Sequence, residues 1–346
     1  MKINSKSVSL LSLFAFLAIV ACKEDTSKDT AEVEKIPGII LENMDPDVSP
    51  KDDFYNYVNG NWMKTNVIPD DQTRWGGFGV LRKSTDADVL SIIKTSKELG
   101  KYAEGTDQKK ALLIFETNLD TVARNEAGIK PLQPLLDAIN SINNLNDMQT
   151  VLATTLGVDA PFAGFGASTD MNNSSMNMAW VYSGGLGLQR DYYLEQDDNS
   201  KKIRVQYVDF VTNMLQFINY DEATAKTAAE KILALETQLA EPRLDKVARR
   251  DARNRNNPMS IAELQELTPA INWNKFITDM GVTKTITRVN VMEPKYMKEL
   301  NTFLNSTSIE DIKTLMTWST LRSISGYLTT DFEKANWDFY AKTLRG

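Results

Sequence analysis

Several segments in the later part of the chain place apolar residues three and four positions apart, the spacing that gathers them on one face of a helix. In Ala228 to Ala240, Ile232, Leu235 and Leu239 line up with Ala229. Ser260 with Glu263 has the form of a capping box, which predicts a helix running through Leu267 until Thr268-Pro269 ends it. Ser308 with Asp311 predicts another cap, followed by Ile312, Leu315 and Met316 on one face. Strand-like alternation is scarce, with short candidates only at Asn177 to Tyr182 and Thr287 to Met292. The pattern therefore predicts a mainly α fold, multi-helical, with a few short strands.

The beginning of the chain has a different pattern. Lys2 and Lys6 precede an apolar run from Val8 to Val20, and Ile19-Val20-Ala21 leads into Cys22, the only cysteine. The run is short for a membrane span, while its positive start and small-residue end fit a secretory signal. The residues before Cys22 resemble a bacterial lipobox, in which the cysteine is acylated and becomes the mature N-terminus; the alternative is a small apolar residue of a cleaved leader. This divides the chain into a signal peptide over 1–21, an acylated Cys22 with a flexible tether over 22–44, and a folded region over 45–346. The expected location is the bacterial cell envelope, on a lipid-anchored outer-membrane lipoprotein facing the periplasm or the cell surface. Lys23-Glu24-Asp25 resembles a surface-export signal and reads equally well as the start of a polar tether.

Composition removes several chemistries. The formal net charge of -7 over 346 residues argues against a nucleic-acid surface, so no nucleic-acid partner is expected. One cysteine leaves no intramolecular disulfide framework. No histidine occurs anywhere, so a Ser-His-Asp triad, a Cys-His pair and any His-ligated zinc site are impossible within this chain.

Residues 52–82 concentrate Phe54, Tyr55, Tyr57, Trp62, Trp75 and Phe78 among Gly60, Gly76 and Gly77, and place Arg74 and Arg82 eight positions apart. Read from residue chemistry, this is a densely packed aromatic joint from which two cations project. The plainer reading is a core segment with surface arginines. The stretch resembles the start of the neprilysin family of zinc metallopeptidases, D-D-F-Y-x-Y-x-N-G-x-W, then I-P, then R-[WY]-G-x-F-x-x-L-R, carried here by Asp52 to Trp62, Ile68-Pro69 and Arg74 to Arg82. Gly185-Leu186-Gly187-Leu188 followed by Arg190-Asp191-Tyr192-Tyr193 is similar to the family's G-L-G-L-x-x-R-D-Y-Y turn, one spacer residue short. Asn257-Pro258-Met259-Ser260 with Leu264, and the tail from Phe339-Tyr340 to Lys342-Thr343-Leu344, resemble further family blocks. Ordered blocks over most of the chain are more specific than any one short motif.

The resemblance implies the N-terminal helical lobe of a two-lobed metallopeptidase. Its partner would be a C-terminal catalytic lobe of the same polypeptide, onto which the earliest segment packs, and its substrates would be short peptides. The family's H-E-x-x-H zinc helix is absent, which implies no catalytic residue and no cofactor in this chain, with zinc in the full-length enzyme. The resemblance also makes Arg74 and Arg82 substrate-binding residues, lining the cleft where a guanidinium fork grips a peptide carboxylate or backbone. The alternative is that both pair with local acids such as Asp70 and Asp71. A second function from another class is a non-catalytic, lipid-anchored surface protein that binds peptides or glycans, with its six tryptophans available for stacking on sugars.

Other signals are weaker. Ser91-Ile92-Ile93-Lys94 matches S-x-x-K without the accompanying S-D-N or K-T-G. Gly185-x-Gly187 lacks the third glycine of a dinucleotide loop and predicts a turn. The six basic residues between Arg243 and Arg255, interspersed with Asp245 and Asp251, predict a solvated helix face rather than a polyanion site. Small polar residues at Asn172 to Ser175 mark a weak candidate boundary and contain a formal glycosylation sequon.

Overall fold

The structure, a computed structural model, describes residues 38–155 and 160–345. Cys22, the leader and the tether up to residue 37 lie outside the described residues. The chain divides between Gly76 and Gly77 into two compact units.

In the first unit, helix α1 (Phe54–Thr65) starts at Asp53, whose carboxylate accepts the Asn56 N–H at 2.9 Å. The segment before it folds back onto the helix. Gly60 lets it approach, since a Cβ there would lie 2.7 Å from the Asp45 Cβ, and Lys64 closes the contact with a 2.6 Å ion pair to Asp45. Asn61 donates to the Met44 carbonyl at 2.6 Å. The N-G-x-W block is thus an internal clasp.

The expectation of a densely packed aromatic joint is not met within the described residues. Phe54 is 67% exposed and Phe78 is 91% exposed, Tyr55 and Val67 are also exposed, and Tyr57, Trp62 and Trp75 are half-buried. The physical reason is that an aromatic side chain favours burial without itself supplying a facing layer: Phe54, Tyr55, Val67 and Phe78 are left uncovered, and Tyr57, Trp62 and Trp75 are covered in part.

The second unit begins with α2 (Gly77–Glu98), α3 (Asp107–Leu119), α4 (Thr121–Ala127), α5 (Gln133–Asn140) and α6 (Leu145–Thr154). A hairpin follows, β1 (Ala163–Asp170) and β2 (Asn173–Ser183), and then α7 (Arg190–Leu194), α8 (Asp198–Gln216) and α9 (Glu222–Ala240). The chain continues through α10 (Ala252–Arg255), β3 (Pro258–Ser260), α11 (Ile261–Leu267), α12 (Trp273–Asp279) and β4 (Arg288–Val291). It ends with α13 (Pro294–Ser306), α14 (Ile309–Ile324), α15 (Thr330–Trp337) and a π-helical turn over Asp338–Thr343. The fold is mainly helical, with a sheet of four strands in the order β1-β2-β4-β3.

Polar caps punctuate the helices as the sequence predicts. The Ser260 and Glu263 capping box is complete, and Ser308 accepts the Asp311 N–H. Asp197 and Asp221 cap α8 and α9 in the same manner, satisfying donors that the first turn leaves unpaired. Helix α9 is the hub, packing against α7, α8, α13 and α14. Its Ala229, Ile232, Leu235 and Leu239 are all buried, as are Tyr207, Phe210, Val211 and Met214 of α8 and Trp318 of α14. Phe339 of the π-helical turn stacks on Phe210 with ring centroids 4.6 Å apart, which ties the tail of the chain into this core.

Both candidate strands are present. Residues 177–182 fall within β2, and β4 lies within the segment predicted from Thr287, paired in parallel through Ala179 with Val289 and Val181 with Val291. The buried Asn290 accepts the Asn257 N–H and donates to the Arg255 carbonyl, each at 2.7 Å, so the N-P-M-S block is fixed to the sheet. Two expectations are corrected. Asn172 to Ser175 is not a boundary: Asn172 lies in the turn of the β1–β2 hairpin, where a polar residue serves the reversal, and Asn173 to Ser175 open β2. Arg243 to Arg255 does not form one continuous helix face: it is broken into a 3-10 turn over Ala248–Arg250 and the single turn α10, because Asp245 and Asp251 cap separate short turns.

Candidate functional site

Arg74 lies in the irregular stretch after α1, is exposed, and makes no ion pair or hydrogen bond among the described residues. Arg82, on α2, has an 85% exposed side chain whose Nε is 3.8 Å from Asp86. An exposed pair of that length contributes little. Neither arginine pairs with Asp70 or Asp71 among the described residues, so both forks are available to a ligand. Arg74 belongs to the first unit and Arg82 to the second.

The G-L-G-L and R-D-Y-Y residues build a buried polar node. Glu236 of α9 is buried, and its carboxylate accepts the Gly187 N–H at 3.0 Å, the Tyr193 hydroxyl at 2.9 Å and the Tyr207 hydroxyl at 2.6 Å. Tyr207 in turn accepts the Trp318 indole N–H at 2.8 Å, and Tyr193 accepts the Leu188 N–H at 2.8 Å. Burial raises the Glu236 carboxyl above its ordinary value, against the pull of the Tyr207 hydrogen bond and of the Arg322 charge. Burial, reinforced by the Glu236 charge, pushes both tyrosine hydroxyls well above theirs. This node holds neutral or charge-matched donors around one acid and serves the architecture of the turn.

The residues of this node escape a motif search, although one signal was present. Glu236 shares the face of Ala229, Ile232 and Leu239, an acid on an otherwise apolar stripe. Such a residue is buried with partners or interrupts the face. A second buried acid, Glu293, accepts from the Ser183 hydroxyl at 2.5 Å and the Leu244 N–H at 2.8 Å, and no local pattern marks it.

Among the described residues no group of three or more cysteine, aspartate or glutamate side chains is disposed to hold a metal ion. With no histidine in the sequence, the residues present do not fit a zinc site of the H-E-x-x-H kind. No helix among the described residues is long and apolar enough to cross a membrane. Of the six tryptophans, Trp180, Trp273 and Trp318 are buried, Trp62 and Trp75 are half-buried, and only Trp337 is exposed. Three of the six are therefore not available for stacking on sugars.

The sequence model for the N-terminal domain of Peptidase family M13 matches residues 50–346. Endothelin-converting enzyme 1 of Rattus norvegicus is 30% identical over 312 residues, which are 87% of this chain and 40% of that protein. Neprilysin-3 of Drosophila melanogaster is 27% identical over 319 residues, 86% of this chain and 43% of that protein. Among solved structures, the zinc metalloprotease ZMP1 of Mycobacterium tuberculosis, in complex with an inhibitor, superposes with a TM-score of 0.81 at 28% identity, covering 90% of this chain and 48% of that one. PEPO from Lactobacillus rhamnosis shares the fold, with a TM-score of 0.70 at 16% identity over 84% of this chain and 46% of that one. The chain spans about two fifths of the length of the curated relatives it matches.

Proposed function

Since the chain belongs to Peptidase family M13 through that family's N-terminal domain, we propose that it is the substrate-cleft-forming lobe of a membrane-anchored zinc metalloendopeptidase that acts on short peptides. The observation that carries this is the match over 50–346, set against relatives of which the chain covers about two fifths. The remaining length in those relatives is where the catalytic half would lie. This chain, lacking histidine, is assigned no zinc ligand and no catalytic step.

Its own residues would bind and orient. Arg74 and Arg82, exposed and not committed to strong pairs, would hold a peptide carboxylate or backbone carbonyl through charge-assisted hydrogen bonds. The exposed apolar side chains of α1 and α2, Phe54, Tyr55, Phe78 and Leu81 among them, would be covered by the catalytic half. Acylation at Cys22 would hold the enzyme in the cell envelope, since lipid chains contribute about 0.8 kcal/mol per buried methylene.

The test compares two proteins: this chain, and the same chain extended by the reading frame that follows Gly346. The expected result is chelator-sensitive hydrolysis of short peptides by the extended protein and none by the chain alone. Chelator-sensitive hydrolysis by the chain alone overturns the reading.

A further inference from the structure

Two segments, Ser183 to Asp191 and Arg243 to Arg249, wall a cleft of about 580 Å³ in the second unit. The chain carries a net charge of -7, yet the wall presents Arg190, Arg243, Lys246 and Arg249 against a single carboxylate, Asp191. That carboxylate is shared, 3.0 Å from Lys246 and 3.8 Å from Arg190. Arg243 and Arg249 have no acidic partner among the described residues.

The acids nearby are already engaged. Asp245 accepts the N–H groups of Val247 and Ala248, both at 2.8 Å, and these bonds hold its carboxyl below the ordinary value. Both oxygens of Glu293 are taken, by Ser183 and by Leu244. Glu195 adds only a distant influence on Lys246, whose principal partner is Asp191. Neither Asp245 nor Glu293 lines the cleft, and the residues that do line it carry four cations against the one carboxylate of Asp191.

The cleft is also pre-formed. Gly184 is pressed against the chain at Pro161, where a Cβ would lie 2.3 Å from the carbonyl, and Leu244 is fixed by Glu293. The Arg243 guanidinium sits 4.9 Å from the centre of the Tyr296 ring and donates through Nε to the Leu239 carbonyl at 3.0 Å. One further N–H nitrogen of Arg243, Nη2, and the Nε of Arg190 are buried without an acceptor. Unmatched buried donors are costly, and a small turn of either guanidinium toward an incoming oxygen would relieve them.

We propose that this cleft is an oxyanion site, distinct from Arg74 and Arg82, in which Arg243 and Arg249 grip the carboxylate or phosphate oxygens of a ligand while Lys246 and Arg190 share Asp191 at its edge. The proposal does not depend on the peptidase reading, because it concerns binding by this chain alone. Its ligand chemistry is a multiply negative group, and the source is either a peptide carboxylate or a phosphate.

Isothermal titration of the chain at low ionic strength, with inorganic phosphate, tetraglutamate and tetraglutamine as probes, tests it. The expected result is binding of phosphate or tetraglutamate, mutual competition if both bind, and no binding of tetraglutamine. The tighter of the two anions identifies the source. Arg249→Gln, at an exposed side chain, and Arg243→Gln should each weaken binding about tenfold, the loss of one charge-assisted bond. Lys201→Gln with Lys202→Gln, on exposed positions of α8, should leave it unchanged. Failure of both anions to bind overturns the proposal, as does binding that Arg249→Gln and Arg243→Gln leave intact.

Discussion

Gly187 and Tyr207 compete for one space: a Cβ added to Gly187 would lie 1.8 Å from the Tyr207 hydroxyl oxygen, and both residues donate to the same Glu236 carboxylate. The glycine of the G-L-G-L turn is there because a tyrosine from helix α8 occupies its side-chain volume. Gly187→Ala should therefore destabilise the fold by about 3 kcal/mol, the cost of forced overpacking. Urea unfolding measures it, and Gly187→Ala combined with Tyr207→Phe should cost less than the sum of the two single changes, since the hydroxyl contact is then gone.

Glu236 makes stability depend on pH in a definite direction. Its folded-state carboxyl lies above the ordinary value of 4.5, so the fold favours the protonated acid. Its contribution is fully present below 4.5 and is lost as pH rises through the raised folded value. The stability of the wild type minus that of Glu236→Gln should therefore fall as pH rises from 4.5, as read from unfolding curves across that window. Glu236→Ala, which strands the Gly187 N–H and two tyrosine hydroxyls, should cost about 3 kcal/mol at pH 4.5 and less as pH rises through the raised folded value.

The capping box at the start of α11 is a local device that sequence alone predicts. Ser260→Ala should cost about 1 kcal/mol in thermal or urea unfolding, because the Glu263 N–H loses its acceptor. Ser260→Thr should recover most of it.

Arg74 and Arg82 separate binding from folding. Arg74→Ala and Arg82→Ala should leave the melting temperature of this chain unchanged, as both side chains are exposed. In the extended enzyme each should raise KM about tenfold for peptides with a free C-terminal carboxylate, with less effect on the amidated peptides. Arg74→Lys should rescue only part of the loss, because an ammonium cannot make the bidentate contact.

The exposed apolar faces of α1 and α2 should bind a hydrophobic dye. Phe78, at 91% exposure, is the first target: Phe78→Ser should lower dye fluorescence without lowering the melting temperature. In the extended protein the dye signal should fall, if the catalytic half covers this surface.

Much of the helical architecture was legible because its causes are local. The 229, 232, 235 and 239 spacing placed a buried stripe on α9, and Ser260 and Ser308 marked where two helices begin. The two strand segments were also legible, since β2 and β4 carry short runs of β-branched or aromatic residues. The aromatic segment was misread because type predicts that an aromatic residue wants burial but not whether its own unit supplies a cover. The basic stretch from Arg243 was misread because charge spacing resembles a helix face, while Asp245 and Asp251 redirect the backbone into separate turns.

From the sequence alone come the family, through blocks spread in order along the chain, the helical class, and the absence of any imidazole for zinc. Each depends on residue identity or on neighbours within a few positions. Only the tertiary structure revealed why Gly187 cannot be larger, that Glu236 is a buried acceptor for residues 49 and 29 positions away, and that four cations from two segments share one cleft. Those relationships are set by how α7, α8 and α9 pack, and packing brings together side chains that no local spacing relates.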